Sequence, residues 1–211
     1  LVEAQRQEAI RRRMHLVELP ASLKHATLAP NQKDSVILTK SRAEILSLMS
    51  DFIGNFHSPT KKGLYVFGDF GVGKSFLLAA LAHDLSEKYS VATTMIHYPS
   101  FVVNVKNAIQ SGQVKAEIDT VKKADILILD DIGAEQHSPW VRDDVLQVIL
   151  QHRMQENLPT FFTSNFSLSD LEKRLSQGKA GDESWQAKRV MERIRFLAKE
   201  VHLKGENRRH E

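Results

Sequence analysis

Cysteine is absent from all 211 residues, which excludes disulfides and thiolate-bound metal and suits a reducing cytosol. No stretch approaches the ~18 consecutive apolar residues that a membrane span needs. The N-terminal run LVEAQRQEAIRRRM is charged where a secretory signal requires an apolar core. Internal repeats and low-complexity tracts are missing as well. What is present is apolar material for a core, 42% of the residues, enough for one large domain or one domain with a short appendage. A net charge of +3 permits contact with nucleic acid without demanding it. These features lead us to expect a cytoplasmic protein with no membrane partner. The chain opens on Leu1 in what reads as mid-helix, so we expect further sequence ahead of it.

The richest local signal is GDFGVGKS, which fits the P-loop pattern G-x-x-x-x-G-K-[ST] without a mismatch. Gly63 to Gly68 reads as a buried strand entering the loop, and Phe76 to Leu85 as an apolar-striped helix leaving it. Gly68, Gly71 and Gly73 allow tight turning and close approach of backbone N–H groups to phosphate oxygens. Asp69, Phe70 and Val72 complete the loop, and the helix N-terminus adds its dipole to the same anion. Lys74 can reach the β- and γ-phosphates, and the Ser75 hydroxyl can bind Mg²⁺. A nucleoside triphosphate with Mg²⁺ is therefore the expected ligand, against the alternative of a chance glycine-rich turn.

Strands and helices alternate along the chain, which predicts an α/β fold with a doubly wound parallel sheet. Residues 3–16 read as a charged helix, with Arg11–Arg13 on a solvated face. Pro20 and Pro30 bracket a linker, and Ser41 with Glu44 has capping-box spacing at the start of a helix over 41–56. Further strands are expected at 90–98, 124–131, 158–165 and 201–204, with helices from Pro99, over 140–154 and over 185–199. The strand ADILILDD is almost wholly apolar, as befits burial on both faces.

That strand ends in Asp130-Asp131, which suits a Walker B motif. Asp130 would hold Mg²⁺ at the carboxyl edge of the sheet, with Ser75, and Asp131 would polarise an attacking water. The two carboxylates could instead cap the helix that follows. Asn165 closes the next strand, where a polar side chain can hydrogen-bond the lytic water or the γ-phosphate, although Asn before a loop is also a common turn residue. Arg189, Arg193 and Arg195 on the last long helix, and Arg208-Arg209 beyond it, could serve phosphate chemistry or form a solvated basic face.

From about Gly63 onward the chain resembles the AAA+ domain of bacterial helicase loaders, the DnaI/DnaC family, nearest the DnaI type. The resemblance is carried by GLYVFGDFGVGKSFLLAALA, LILDDIGAEQ, LPTFFTSN, AKRVMERIRFLA and GENRR. It implies an α/β P-loop AAA+ core over 63–211 with a five-stranded parallel sheet and no C-terminal helical lid, preceded over 1–62 by a linker helix and lead-in segment. It further implies that Asn165 is sensor 1, that Arg193 is an arginine finger reaching a neighbouring subunit's ATP, and that Arg208 or Arg209 is sensor 2. Most AAA+ proteins end Walker B in Asp-Glu. The shorter Asp131 predicts slow turnover, suited to a switch.

The expected activity is that of an ATPase that loads the replicative DNA helicase hexamer onto single-stranded DNA during primosome assembly, self-associating through its ATP interfaces. Lys106 and Lys115 are candidates for phosphate contact, or ordinary surface lysines. The DnaI type also implies a separate helicase-binding domain, expected outside this chain. The alternative is an IstB-like ATP-binding protein of transposition acting on duplex DNA. A small-molecule kinase would need an acceptor pocket and a lid, and Asn165 with RVMERI speaks against it.

Overall fold

The computed structural model describes residues 2–26, 28, 40–58, 62–178 and 181–205. Its centre is a parallel sheet built from Met14–Val17 (β1), Gly63–Phe67 (β2), Thr93–His97 (β3), Ile126–Asp130 (β4), Thr160–Ser164 (β5) and Ala198–His202 (β8). The remaining two strands, Gln177–Gly178 (β6) and Gly181–Asp182 (β7), form a separate short antiparallel pair. The sheet runs β1-β3-β4-β5-β2-β8, with every pairing parallel.

Alternation along each strand sends side chains to two cores. Leu64, Val66, Ile126 and Ile128 face one layer with Phe161. That layer contains Val2–Arg13 (α1), Lys40–Gly54 (α2) and Lys74–Tyr89 (α3), through Ile10, Ile45, Met49 and Leu78. Tyr65, Leu127, Leu129 and Phe162 face the other layer. It is formed by Tyr98–Asn107 (α4), Val114–Lys122 (α5), Gln147–Gln155 (α6), Leu168–Leu175 (α7) and Ser184–Leu197 (α8). Coverage on both faces is why Ile126 to Asp130 is buried at every position.

The five expected strands are present, and a sixth joins them from the lead-in segment. The N-terminal helix stops at Arg13, and Met14 to Val17 pairs with β3 in register from Met14↔Thr93 to Val17↔Ile96. Met14 is buried, so this short segment gains a core contact while covering what would otherwise be an open sheet edge. Ser41 also departs from expectation, because it lies inside α2. Its hydroxyl donates to the Lys204 carbonyl at 3.1 Å and accepts from the Lys204 N–H at 3.0 Å, tying α2 to the chain leaving β8. Among the described residues no helix follows β8.

Two buried arginines lock the second layer. Arg153 donates to Thr160 Oγ1 and to the carbonyls of Lys122, Ala124 and Pro159, all within 3.1 Å, joining α5, α6 and the starts of β4 and β5. Burial pulls its pKa down to about 9, which leaves it cationic at neutral pH. Arg142 lies in a π-helical turn, Val141–Leu146, that runs into α6. It pairs with Asp143 and with Glu183, and donates to the Leu175 carbonyl at the end of α7.

Candidate nucleotide site

The carboxyl ends of β3, β4, β5 and β2 lie side by side, the edge where open α/β sheets bind ligands. From β2 the chain enters the loop Gly68–Gly73 and then α3. Gly71 and Gly73 have φ of 76° and 96°, left-handed values that disfavour side chains. A Cβ on Gly68 would lie 2.2 Å from the Leu203 carbonyl oxygen, so the loop leaves the sheet in contact with backbone. Gly73 is the N-cap of α3 and makes no side-chain cap, which leaves the first-turn N–H groups to be met from outside the helix.

Lys74 is buried, and its Nζ donates to the Gly68 carbonyl at 2.8 Å, the Asp69 carbonyl at 2.6 Å and Asn165 Oδ1 at 3.0 Å. The Ser75 hydroxyl donates to Asp130 Oδ1 at 2.6 Å. The Thr163 hydroxyl donates to the same oxygen at 2.7 Å and accepts from the Asp131 N–H at 2.8 Å. Thr163 thus orients both acidic residues. Asp131 has φ of 61°, which turns its side chain away from the strand, and its Oδ2 lies 3.5 Å from His97 Nε2. His97 Nδ1 is in turn 2.7 Å from Ser100 Oγ.

These groups line a cleft of about 590 Å³. Leu19, Pro20 and Leu23 of the lead-in segment give it an apolar wall, Phe70 and Phe76 add apolar lining, and Glu18 lines it as well. The 3₁₀ turn Ala21–His25 packs on α3 and so holds this wall in place. The cleft can take a flat apolar group against one wall and a polyanion against Lys74 and the loop. Ser75 and Asp130 present two hard oxygen donors a hydrogen bond apart, and they fit Mg²⁺.

The structure brings Gly68 through Ser75, Asp130, Asp131 and Asn165 together. Arg193 is elsewhere: its Nε donates to Gln151 Oε1 at 2.7 Å and its Nη1 to the Arg189 carbonyl at 2.6 Å, and it does not line the cleft. Arg208 and Arg209 fall outside the described residues. Lys106 on α4 is half-buried and Lys115 on α5 is exposed, and neither lines the cleft. Sequence reasoning missed Thr163, His97, Ser100 and the Glu18–Leu23 wall. A polar residue at the end of each strand flanking β4 was the available signal for Thr163 and His97.

Residues 5–211 match the family described as IstB-like ATP binding protein. The replicative helicase loader DnaI of Bacillus subtilis (strain 168) is 44% identical over 172 residues, covering 81% of this chain and 55% of that protein. The chain therefore spans about half the length of this curated relative. Among solved structures, a candidate primosome component from Streptococcus pyogenes serotype M3 is 53% identical, with a TM-score of 0.80 over 96% of this chain and 99% of the other. A crystal structure of DnaI is 36% identical, with a TM-score of 0.81 over 92% and 98% of the two chains.

Proposed function

This chain belongs to the IstB-like ATP-binding family and to the DnaI/DnaC helicase loaders, and from that premise we propose that it is the ATP-driven part of a loader for the replicative DNA helicase. The single observation that supports this best is the meeting of Lys74, Ser75, Asp130 and Asn165 at one sheet edge through hydrogen bonds of 3.0 Å or less. On this reading the phosphates of ATP lie along Gly68–Ser75, with Lys74 on the β- and γ-phosphates. Mg²⁺, held by Ser75 and Asp130, would supply neutralisation of phosphate charge. Asn165 and Asp131 orient the attacking water, and His97 holds the Asp131 carboxylate. Asp131 is one methylene shorter than the usual Glu, so turnover is slow and ATP acts as a switch. Subunits associate through the nucleotide, with Arg193 reaching a neighbour's γ-phosphate, and single-stranded DNA enters the helicase ring while the loader is bound.

A pull-down tests this. With ATP, this chain extended at its N-terminus should retain the replicative helicase hexamer, and the chain alone should retain much less. If neither form retains helicase under any nucleotide condition, the loader reading fails. The second reading, an ATP-gated adaptor of transposition, is favoured by the name of the matching family. Coating of duplex DNA without helicase retention would select it.

A further inference from the structure

A second, much smaller cavity lies beside the turn that follows Asp131. Its volume is about 10 Å³, and Tyr98, Glu135, His137 and Arg142 are among the residues lining it. This is close to the room one water molecule needs. Tyr98 is wholly buried, and neither its hydroxyl nor His137 Nε2 has a hydrogen-bond partner among the described residues. Buried polar groups in folded proteins are nearly always satisfied, by protein or by ordered water.

The three polar side chains are complementary toward water. Burial lowers the pKa of His137 and favours the neutral ring, opposed by a hydrogen bond to the Gln177 backbone. A neutral imidazole donating to that backbone presents Nε2 as an acceptor. The Tyr98 hydroxyl can donate, and the Glu135 carboxylate can only accept when ionised. Glu135 is itself buried, and its Oε2 accepts from the Gly133 N–H at 2.7 Å. Arg174 donates to the Glu135 carbonyl at 2.8 Å, fixing the same turn from α7.

We infer that this cavity is a site for one water molecule, accepting from the Tyr98 hydroxyl and donating to His137 Nε2 and the Glu135 carboxylate, and that this bridge positions the turn carrying Asp131. The two segments it would join both touch Asp131. Tyr98 directly follows His97, whose ring faces the Asp131 carboxylate. Glu135 holds Gly133, two residues beyond Asp131, where φ is 95°. Asp131 itself has a left-handed backbone, which persists only when its surroundings hold it. Tyr98, His137 and Glu135 are thus positioning residues, acting on the hydrolytic carboxylate through the backbone on either side of it. The positioning role rests on the reading of Asp131 given above, and the water site does not.

Two measurements on wild type and Tyr98→Phe test this. The wild-type crystal structure, at a resolution that shows ordered solvent, should contain one water within hydrogen-bond distance of Tyr98 Oη, His137 Nε2 and Glu135. In Tyr98→Phe, which keeps the ring packing, that water should be lost or displaced. Its ATP affinity should stay within about twofold of wild type, while kcat falls about fivefold, the worth of one hydrogen bond. A direct Tyr98–His137 or Tyr98–Glu135 bond with no water would overturn the site. An unchanged kcat, or loss of kcat and ATP affinity together, would overturn the positioning role. Wild type unable to hydrolyse ATP would remove the reading of Asp131 and the positioning role with it, while solvent density would still decide the water site.

Discussion

Lys74→Ala is expected to weaken ATP binding by at least about a hundredfold, read by isothermal titration. The Lys74 ammonium donates to two loop carbonyls and to Asn165. Phosphate oxygens would replace the carbonyls as partners, giving charge-assisted bonds to a buried ammonium. Each such bond contributes about 1.5–3 kcal/mol, and two of them account for about two to four decades in Kd. Folding should survive, because the chain keeps both hydrophobic cores and loses only a side chain at the cleft. A variant with wild-type Kd would show that the loop does not grip phosphate.

Arg193→Ala is expected to leave ATP affinity within about twofold, yet lower the hydrolysis rate at least about tenfold once subunits assemble. Helix α8 buries Ala187, Val190, Met191, Ile194 and Leu197, and Arg193 lies beside that stripe, bonded to Gln151 on α6. Because it does not line its own subunit's cleft, it can meet a γ-phosphate only across an interface. The charge developing on the transferred phosphoryl group gives an arginine its largest effect in the transition state, so the rate changes and the affinity does not. The measurement is ATPase rate against protein concentration. Equal turnover of wild type and variant at the highest concentration would remove Arg193 from the mechanism.

Much of the site was legible because its demands are local. The loop needs Gly68, Gly71 and Gly73 at set offsets from Lys74 and Ser75, and ILILD followed by a second Asp declares a strand buried on both faces. Both features survive as short strings. Sheet class followed from the alternation of strand and helix. Less was visible where contacts join distant residues. Thr163 binds Asp130 and Asp131 across neighbouring strands, and His97 meets Asp131 from a third, pairings that only the register of β3, β4 and β5 creates. The strand Met14–Val17 was hidden by the helix-forming, charged run before it and by its own brevity. The N-terminal wall of the cleft was invisible for another reason: Leu23 gains its role from the packing of its 3₁₀ turn on α3. Nothing local in the sequence marks Arg142 and Arg153 for burial: the Asp143 and Glu183 carboxylates with the Leu175 carbonyl satisfy the first, and Thr160 Oγ1 with the carbonyls of Lys122, Ala124 and Pro159 satisfies the second.

One Mg²⁺–triphosphate should be held between Lys74, Ser75, Asp130 and Asn165. A crystal structure with a non-hydrolysable ATP analogue and Mn²⁺ in place of Mg²⁺ tests it most directly. Anomalous density should place the metal within coordination distance of Ser75 Oγ, with Asp130 bound directly or through water, and the γ-phosphate between Lys74 and Asn165. Metal or nucleotide bound outside this cleft, with Ser75 still donating to Asp130, would show that these four side chains do not form the nucleotide site.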